Sequence, residues 1–316
     1  MDRLNYLLEI ALKYHVSDIH FNYDNKLNEL ISIDMRVNDG IRRVKRESED
    51  SKLFRYLMYL ANLDISNLMN PQTGNFTINV NGVDLSLRFA VISTINNTNG
   101  VLRILNSSMR LCIDNLTNDL DDINWLKEIK NHNEGLFVFS GPTGSGKTTT
   151  LYTILNEIEN KKIFTLEDPI EVMNDKFIQI QINEKMNLNY ASGIKQLMRH
   201  DPDIIMIGEI RDDEAAQMAV RCALTGHLVI TSIHSSSCIS AINRLLDLGV
   251  KSYQLEDILM GITSQRLFMN DDNEYLCVYE IFKREDIEEY FRSGGYLDGH
   301  KRLNEKIEVI KKAGYH

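Results

Sequence analysis

One glycine-rich segment constrains the fold of this chain more than any other feature, because its spacing G-x-x-x-x-G-K-[ST] lies between two predicted elements. A short apolar run typical of a strand, residues 136–139, precedes it, and residues 149–159 follow with helical spacing. A strand, a glycine-rich turn and a helix in this order form the context of a phosphate-binding loop. The segment consists of Gly141, Pro142, Thr143, Gly144, Ser145, Gly146, Lys147 and Thr148, and Thr149 begins the predicted helix.

The residue types of this segment explain how it could hold phosphate. Glycines let backbone amides turn towards an anion, and the start of the following helix adds partial positive charge. Lys147 can reach the β- and γ-phosphates, and the Thr148 hydroxyl can ligate Mg²⁺. We therefore predict that residues 141–149 bind ATP with Mg²⁺. The alternative is a glycine-rich turn that precedes a lysine by chance.

The composition is that of an ordinary water-soluble protein with two domains, at 316 residues, 43% hydrophobic and 25% charged. No apolar run approaches the roughly 18 residues of a membrane span, and the N-terminus lacks a signal-peptide layout, so a cytoplasmic protein is expected. The net charge of −10 predicts no direct nucleic-acid partner, although a local basic face is compatible with it. The cysteines form no C-x-x-C pair, which predicts neither zinc nor disulfides: Cys112, Cys222, Cys238 and Cys277.

The first 106 residues are predicted to form an α+β domain with an antiparallel sheet. Residues 4–12 and 53–63 have helical spacing, and Asn81-Gly82 between two alternating runs is the strongest short signal of a hairpin. Arg88 lies in the second strand of this hairpin, on the face opposite the apolar residues. Arg103 lies in the middle of a strand predicted for residues 101–105. The polar residues 107–122 are predicted to be a linker.

From residue 123 to residue 316 the pattern changes to an alternation of strands and helices, which predicts a mainly parallel sheet covered by helices. Strands are predicted at residues 136–140, 163–167, 178–182, 204–207 and 228–233, the third of them at an exposed edge. Helices are predicted at 149–159, 190–198, 213–224, 237–248, 252–268 and 303–312. Gly226 and Gly249 are placed to end two of these helices.

Acidic residues follow two of these strands, where a nucleotide site could form. Phosphoryl transfer needs a water in line with the γ-phosphate, and it needs cations that stabilise the negative charge on the γ-phosphate oxygens. We predict Glu209, and secondarily Glu167, as the acid that orients this water. Gly208 stands where an ordinary Walker-type strand ends in aspartate, so metal support is expected from Thr148 and from Glu167 or Asp168. The alternative for the acids is helix capping or a solvated turn.

Histidines and arginines could complete such a site. His234 follows a strand and is placed to sense the γ-phosphate, whereas His227 precedes that strand and is as readily a structural histidine. Arg88 and Arg103 could supply the cationic relief, and the alternative for both is a solvated strand face. Arg211 could equally be an ion-pair partner of the acids beside it.

Four motifs in order make the chain resemble the secretion ATPases of type II secretion and type IV pilus assembly: the phosphate-binding loop, "TLEDPIE", "DPDIIMIGEIRD" and "TGHLVITSIH". The stretches "SDIHF" and "LRF…VLRIL" in the first domain fit as well. The resemblance implies a P-loop (RecA-like) α/β ATPase domain preceded by a smaller α+β (PAS-like) domain. It also implies a homohexamer in which Glu167 and Glu209 are the catalytic acids, His234 lies in a histidine box, and Arg88 and Arg103 reach the nucleotide.

Departures from the family pattern bear on the subtype. The chain lacks the four-cysteine zinc module and extra N-terminal domain of larger members, the C-terminal segment typical of retraction motors, and a glutamate where Val101 stands. It therefore resembles most the ATPase of the Gram-positive competence pseudopilus, which would act with a polytopic inner-membrane platform protein to support DNA uptake. The alternatives are a pilus retraction or type II secretion motor, or a scaffold that binds nucleotide without hydrolysis.

Overall fold

The computed structural model describes residues 2–14, 16–37, 40–107, 111–183, 186–270, 275–295 and 303–315. The chain divides into two compact units, one of residues 1–109 with 171–173, the other of residues 110–170 with 174–316. None of the helices in the described part of the chain has the length and apolarity needed to span a bilayer.

The first unit is a six-stranded antiparallel sheet with helices packed on its apolar face. Its elements are α1 (Asp2–Lys13), β1 (Asp18–Asp24), β2 (Glu29–Val37), β3 (Gly40–Arg43), α2 (Asp50–Leu60), β4 (Gln72–Val80), β5 (Val83–Ser93) and β6 (Asn97–Ser107). The strand order is β3-β2-β1-β6-β5-β4. Both predicted helices and the hairpin at Asn81-Gly82 are confirmed, since β4 and β5 pair directly across that turn.

An aromatic cluster forms the centre of this first core. The rings of Phe21, Phe54 and Phe89 meet edge to face, with centroids 5.5 to 6.3 Å apart. Gly100 on β6 faces this cluster, and a Cβ at that position would come within 2.6 Å of the Phe89 ring and 2.7 Å of the Phe54 ring. Helix α2, which carries Phe54, therefore packs this closely on the sheet because β6 has no side chain at this point.

The second unit is built on a seven-stranded sheet of order β13-β12-β7-β11-β10-β8-β9. All neighbouring strands are parallel except β13, which is antiparallel to β12. Strand β9 lies at the edge, as its alternating sequence predicts. The elements are α3 (Leu120–Glu128), β7 (Gly135–Ser140), α4 (Lys147–Asn156), β8 (Ile163–Glu167), β9 (Phe177–Gln181), α5 (Tyr190–Leu197), β10 (Ile204–Ile207), α6 (Asp213–Leu224), β11 (Leu228–Ile233), α7 (Cys238–Asp247), α8 (Ser252–Ile258), β12 (Leu259–Met269), β13 (Tyr275–Lys283), α9 (Arg284–Arg292) and α10 (Leu303–Lys312).

Helix α6 shows how local sequence sets the bounds of these elements. The Asp212 side chain accepts a hydrogen bond from the Ala215 amide and caps the start. At the end, the amide of Gly226 donates to the Ala223 carbonyl and that of His227 to the Cys222 carbonyl, the Schellman pattern. Gly226 has φ of +87° and Gly249 after α7 has +81°, so both predicted glycine caps are confirmed.

One predicted helix is wrong over most of its length. Residues 252–268 form the short helix α8 and then β12, and the prediction also missed β13 and α9. Strand β12 lies between β7 and β13 with both faces covered, so it lacks a simple polar–apolar alternation, and periodicity alone does not separate such a strand from a buried helix. At Gly261 a Cβ would lie 2.3 Å from the Trp125 ring, so a glycine allows the strand to pass beneath α3.

Part of the predicted linker, residues 107–122, lies in the second unit. Ile113 and Leu116 are buried there, and α3 begins at Leu120. Residues 108–110 lie outside the described residues.

Candidate functional site

Four strand exits meet at one edge of the second sheet. Strands β7, β11, β10 and β8 are consecutive neighbours and run parallel. Ser140 at the end of β7 pairs with Ile233 at the end of β11, and Ile207 at the end of β10 pairs with Leu166 near the end of β8. The glycine-rich loop, His234, Glu209 and Glu167 therefore all follow or end strands at the same edge.

The glycine-rich loop turns tightly between β7 and α4. Gly141, Gly144 and Gly146 have φ of +151°, +78° and +86°, conformations that residues with a side chain rarely adopt. A Cβ at Gly141 would lie 2.5 Å from the Ser145 hydroxyl, whereas a Cβ at Gly144 would meet nothing within 4 Å. The loop is thus closely packed at its base and open at its outer turn, where Pro142, Thr143 and Gly144 are exposed.

The loop retains polar groups that suit a phosphate. Lys147 is buried, and its ammonium donates to the carbonyls of Gly141 and Pro142 at 2.9 and 3.0 Å. Ser145 has a buried hydroxyl without a hydrogen-bond partner among the described residues. No side chain caps the start of α4, so its first amides stay available for an anion. An interior ammonium, an orphaned hydroxyl and an uncapped helix of 10 residues together fit a bound phosphate.

Thr148 and Thr149 lie half-buried in the first turn of α4. A hydroxyl at this position of the loop can ligate Mg²⁺ held by phosphates. Among the described residues, no group of three or more acidic, histidine or cysteine side chains could by itself hold a metal ion. The Thr148 hydroxyl is an oxygen of the kind that Mg²⁺ prefers, so the residue present at this position fits such an ion.

Arg211 joins Glu209 to Asp168, and His234 contacts the same glutamate. The guanidinium of Arg211 forms ion pairs with Glu209 and, at 3.2 Å, with Asp168. His234 Nε2 lies 3.4 Å from the other oxygen of Glu209. The Glu209 side chain is 17% exposed, so it retains access to water at the sheet edge. The ion-pair alternative for Arg211 is therefore confirmed, and its partners are two of the predicted site residues.

Glu167, the residue before Asp168, is buried and enclosed by polar side chains. Both of its oxygens accept from the Tyr152 hydroxyl, at 2.8 and 2.7 Å. One oxygen also accepts from the Thr165 hydroxyl at 2.6 Å and from the Gln179 amide at 3.3 Å. Tyr152 lies on α4, Thr165 on β8 and Gln179 on β9. Because Glu167 is only 3% exposed, these donors take the place of water around its carboxylate.

Gly208, which follows β10, stands where a side chain would be crowded. Its amide donates to the Leu166 carbonyl, and its own carbonyl accepts from Ser232. A Cβ at this position would lie 3.1 Å from the Leu166 carbonyl oxygen and 3.3 Å from the Tyr190 hydroxyl. The Tyr190 hydroxyl occupies this space. Burial, and then the negative charges of Glu209 and Asp168, raise the pKa of Tyr190, so this hydroxyl is neutral.

Arg88 and Arg103 lie in the first unit, directly opposite each other on β5 and β6. Arg103 donates to Asp18 at 2.7 Å; although burial opposes it, this hydrogen bond lowers the pKa of that carboxyl. The Arg88 Nε donates to Asn75 at 3.3 Å, and its buried Nη2 has no hydrogen-bond partner among the described residues. Like charges directly opposite each other are unfavourable in a sheet, and the carboxylate of Asp18 offsets the charge of Arg103.

His227 has a structural role at the start of β11. Its Nδ1 lies 3.2 Å from both the Thr225 hydroxyl and the Cys222 carbonyl, at the end of α6. The structural alternative for this histidine is the one observed.

Several polar residues around the site were not predicted from the sequence. Tyr152, Gln179 and Tyr190 surround the acids, and Gln265 lies beneath the loop. Only Tyr152 carried a usable signal, because it lies one helical turn after Thr148. The other three are separated from their partners along the chain and become neighbours only through the order of the strands.

The chain matches a known family along most of its length. The model of the family described as "Type II/IV secretion system protein" matches residues 1–295. The competence protein ComGA of Bacillus subtilis is 37% identical over 266 residues, which cover 83% of this chain and 74% of ComGA. The type II secretion system ATPase E of Vibrio cholerae is 34% identical over 269 residues, 84% of this chain and 53% of that protein. The chain thus spans about half the length of the type II secretion relatives that it matches.

A solved structure extends the likeness to the fold. The pilus retraction motor PilT, crystallised with bound ADP, superposes with a TM-score of 0.78 at 26% identity. The match covers 99% of this chain and 94% of PilT.

Proposed function

Because the chain belongs to the type II/IV secretion system protein family, we propose that it hydrolyses ATP to power a secretion or pilus machine. The observation that carries this proposal is the placement of the Lys147 loop and Glu209 at one edge of one sheet. The ATPase named among the relatives and the ADP bound to PilT support it. The strand order around β7 is consistent with a RecA-like domain, and we keep the PAS-like assignment of the first unit as a proposal.

We assign the binding of the nucleotide phosphates to residues 141–149. On binding, the Lys147 ammonium exchanges loop carbonyls for phosphate oxygens, and the amides at the start of α4 face the same anion. Mg²⁺ bound with the phosphates would neutralise their charge. The Thr148 hydroxyl would hold this ion, with Glu167 and Asp168 supporting it through water.

We assign the orientation of the attacking water to Glu209. Its carboxylate is partly exposed and is held by Arg211 and His234, so it can accept a proton from water in a fixed direction. His234, whose Nε2 lies 3.4 Å from the Glu209 carboxylate, would respond to the γ-phosphate. Glu167 remains the second acid of the proposed pair. Arg88 and Arg103 stay proposed sources of positive charge for the nucleotide.

Two substitutions test the chemistry. Lys147→Ala should abolish measurable ATP binding, because the loop loses its only side-chain cation. Glu209→Gln should bind ATP normally and lower turnover by about 10²- to 10⁴-fold, the usual effect of removing a general base. Calorimetric titration with ATP and a steady-state phosphate-release assay measure the two properties separately. Full turnover by Glu209→Gln would refute the assignment of this acid.

For the biological role we propose a homohexamer that drives assembly of a type IV pilus-like competence pseudopilus for DNA uptake. It would be cytoplasmic, at the inner face of the membrane, and would push on a polytopic platform protein. The likeness to ComGA favours this role over retraction or protein secretion. In a deletion strain, absent fibres support assembly, whereas fibres that persist without retracting support the retraction motor. A scaffold without turnover would show nucleotide binding but no phosphate release.

A further inference from the structure

We propose that Gln265 is a positioning residue of the nucleotide site. Its side-chain amide, presented by β12, holds the Ser145 carbonyl and so fixes the turn of the phosphate-binding loop. The proposal rests on the proposed function, because it concerns the loop that we assign to ATP. Gln265 does not touch the nucleotide in this proposal and acts only through the loop.

The contact between Gln265 and the loop is short and fully buried. The Nε2 atom donates to the Ser145 carbonyl at 2.7 Å and lies 3.3 Å from the Thr150 hydroxyl, and the residue has no exposed surface. The opposite orientation of the amide would place two acceptor oxygens together, so the carbonyl of Ser145 determines which atom is the nitrogen. Gln265 thus supplies a donor to a carbonyl in the middle of the loop.

Two loop glycines pack directly on the same residue. A Cβ at Gly141 would lie 2.7 Å from the Gln265 carbonyl oxygen, and a Cβ at Gly146 would lie 3.3 Å from its Nε2 atom. The loop therefore rests on β12 at both of its ends as well as at Ser145. This close approach gives these two glycines a packing reason in addition to their positive φ.

The strand beneath the loop is itself held rigidly. Strand β12 pairs with β7 on one side, where Ser264 lies opposite Ser140, and with β13 on the other, where Gln265 lies opposite Tyr279. The Tyr279 hydroxyl lies 2.8 Å from the Thr150 hydroxyl of α4. Burial raises the pKa of Tyr279, so this hydroxyl stays neutral and can hydrogen-bond at any physiological pH. The loop, α4 and the β12–β13 pair form one buried polar network.

The same network contains groups that its own hydrogen bonds leave unsatisfied. The Oε1 atom of Gln265 and the hydroxyl of Ser145 are buried without a partner among the described residues. A buried polar group without a hydrogen-bond partner lowers the stability of the fold. A cost of this kind is typical of a residue that serves a site.

Positioning of the loop by Gln265 makes a specific prediction for nucleotide binding. The loop cradles phosphates that ATP and ADP share. Loss of the Gln265 amide should therefore weaken the binding of ATP and of ADP by the same factor. The ratio of their two dissociation constants should not change. A residue that only stabilised the fold would lower the melting temperature without changing the affinity of the folded protein.

The experiment compares Gln265→Met with Thr263→Val in the full-length protein. Methionine keeps the length of glutamine but cannot donate. Thr263 is equally buried on the same strand, and its hydroxyl has no partner among the described residues, so its removal controls for perturbing β12. Calorimetric titration should show that Gln265→Met raises the dissociation constants of ATP and ADP about tenfold, because one buried hydrogen bond is lost. In Thr263→Val both constants should change by less than about twofold.

A second variant gives a readout that structural loss cannot imitate. In Gln265→Glu the ionised carboxylate cannot donate to Ser145, whereas the protonated acid can. Affinity for ADP, relative to the wild type, should therefore recover as pH falls from about 8 to about 5, within the range of a buried glutamate. This variant decides the question if Gln265→Met fails to fold.

The outcomes separate the two proposals. Wild-type affinities in folded Gln265→Met, or a Gln265→Glu variant whose relative affinity does not change with pH, would overturn the role of Gln265. A wild-type protein that binds neither ATP nor ADP would instead overturn the proposed function.

Discussion

At the scale of single residues, the acids of the site differ in how they are held. Glu209 is partly exposed and shares Arg211 with Asp168. Glu167 is enclosed by hydroxyl and amide donors, chiefly Tyr152. Two glutamates that look equivalent in the sequence, each at a strand exit, therefore have different access to water.

Removing the Tyr152 hydroxyl tests the enclosure of Glu167. Tyr152→Phe leaves a buried carboxylate with one donor fewer, and we expect unfolding to become easier by about 1–3 kcal/mol. Urea denaturation measures this difference. Tyr290→Phe is the matched control, because the hydroxyl of Tyr290 makes a single long hydrogen bond within the described part of the chain, 3.4 Å to Asn243. This variant should lower stability by less than about 0.5 kcal/mol. Equal effects of the two variants would contradict the enclosure.

Gly208 provides a second test at this scale. Gly208→Ala should lower stability by about 1–3 kcal/mol, because the new methyl group must displace the Leu166 carbonyl or the Tyr190 hydroxyl. Adding Tyr190→Phe should recover part of the loss by removing one of the two obstacles. Thermal melting of the single and double variants measures this, and strictly additive losses would show that Tyr190 does not occupy the space.

At the scale of elements, helix ends follow local sequence and the β12 strand does not. Gly226 and Gly249 end their helices where the pattern predicts, because a left-handed residue is a local requirement. Strand β12 forms only because β7 and β13 lie on either side of it. The same residues 259–268 therefore suggest a helix in the sequence and form a strand in the protein.

The cap at Gly226 gives the prediction for this scale. Gly226→Ala should lower stability by about 1 kcal/mol, since a Cβ is unfavourable at positive φ and the nearest atom, 3.6 Å away, adds no clash. Gly226→Asn should cost less, because asparagine tolerates this conformation better. Denaturant titrations of both variants compare them, and a larger loss for asparagine would rule out backbone strain as the cause.

At the scale of the whole molecule, residues from the two ends of the second unit are joined by a partly buried ion pair. Lys306 on α10 donates to both oxygens of Asp122 on α3 at 2.9 Å, across 184 residues of sequence, and pairs with Asp119 at 3.2 Å. Burial, partly offset by Lys306, raises the pKa of Asp122 to about 6. The folded protein therefore holds this proton more tightly than the unfolded chain does.

The sign of the resulting pH dependence follows from linkage. The contribution of Asp122 to stability is full below its unfolded pKa of 3.8 and is lost as pH rises through about 6. Asp122→Asn should lack this decline, so the difference in unfolding free energy between the two proteins should change by up to about 3 kcal/mol over that range.

Asp119→Asn is the control for this titration. Although burial opposes it, Lys306 lowers the pKa of Asp119, so its contribution is present above the unfolded pKa and is lost as pH falls. Its pH dependence should therefore have the opposite sign. Parallel stability curves for the wild type and Asp122→Asn would contradict the role of the Asp122 carboxyl.

The sequence by itself determined the glycine-rich loop, five parallel strands and most of their helices, and the placement of acids at strand exits. These features depend on spacing and periodicity over a few residues, and such patterns are visible without the fold. Tertiary structure decided which acid is enclosed, that a side chain at Gly208 would be crowded, and that Gln265 lies beneath the loop. Gln265 and Ser145 are 120 residues apart and touch only because β12 is inserted beside β7. Contacts of this kind depend on the order of strands in a sheet, which local periodicity does not encode.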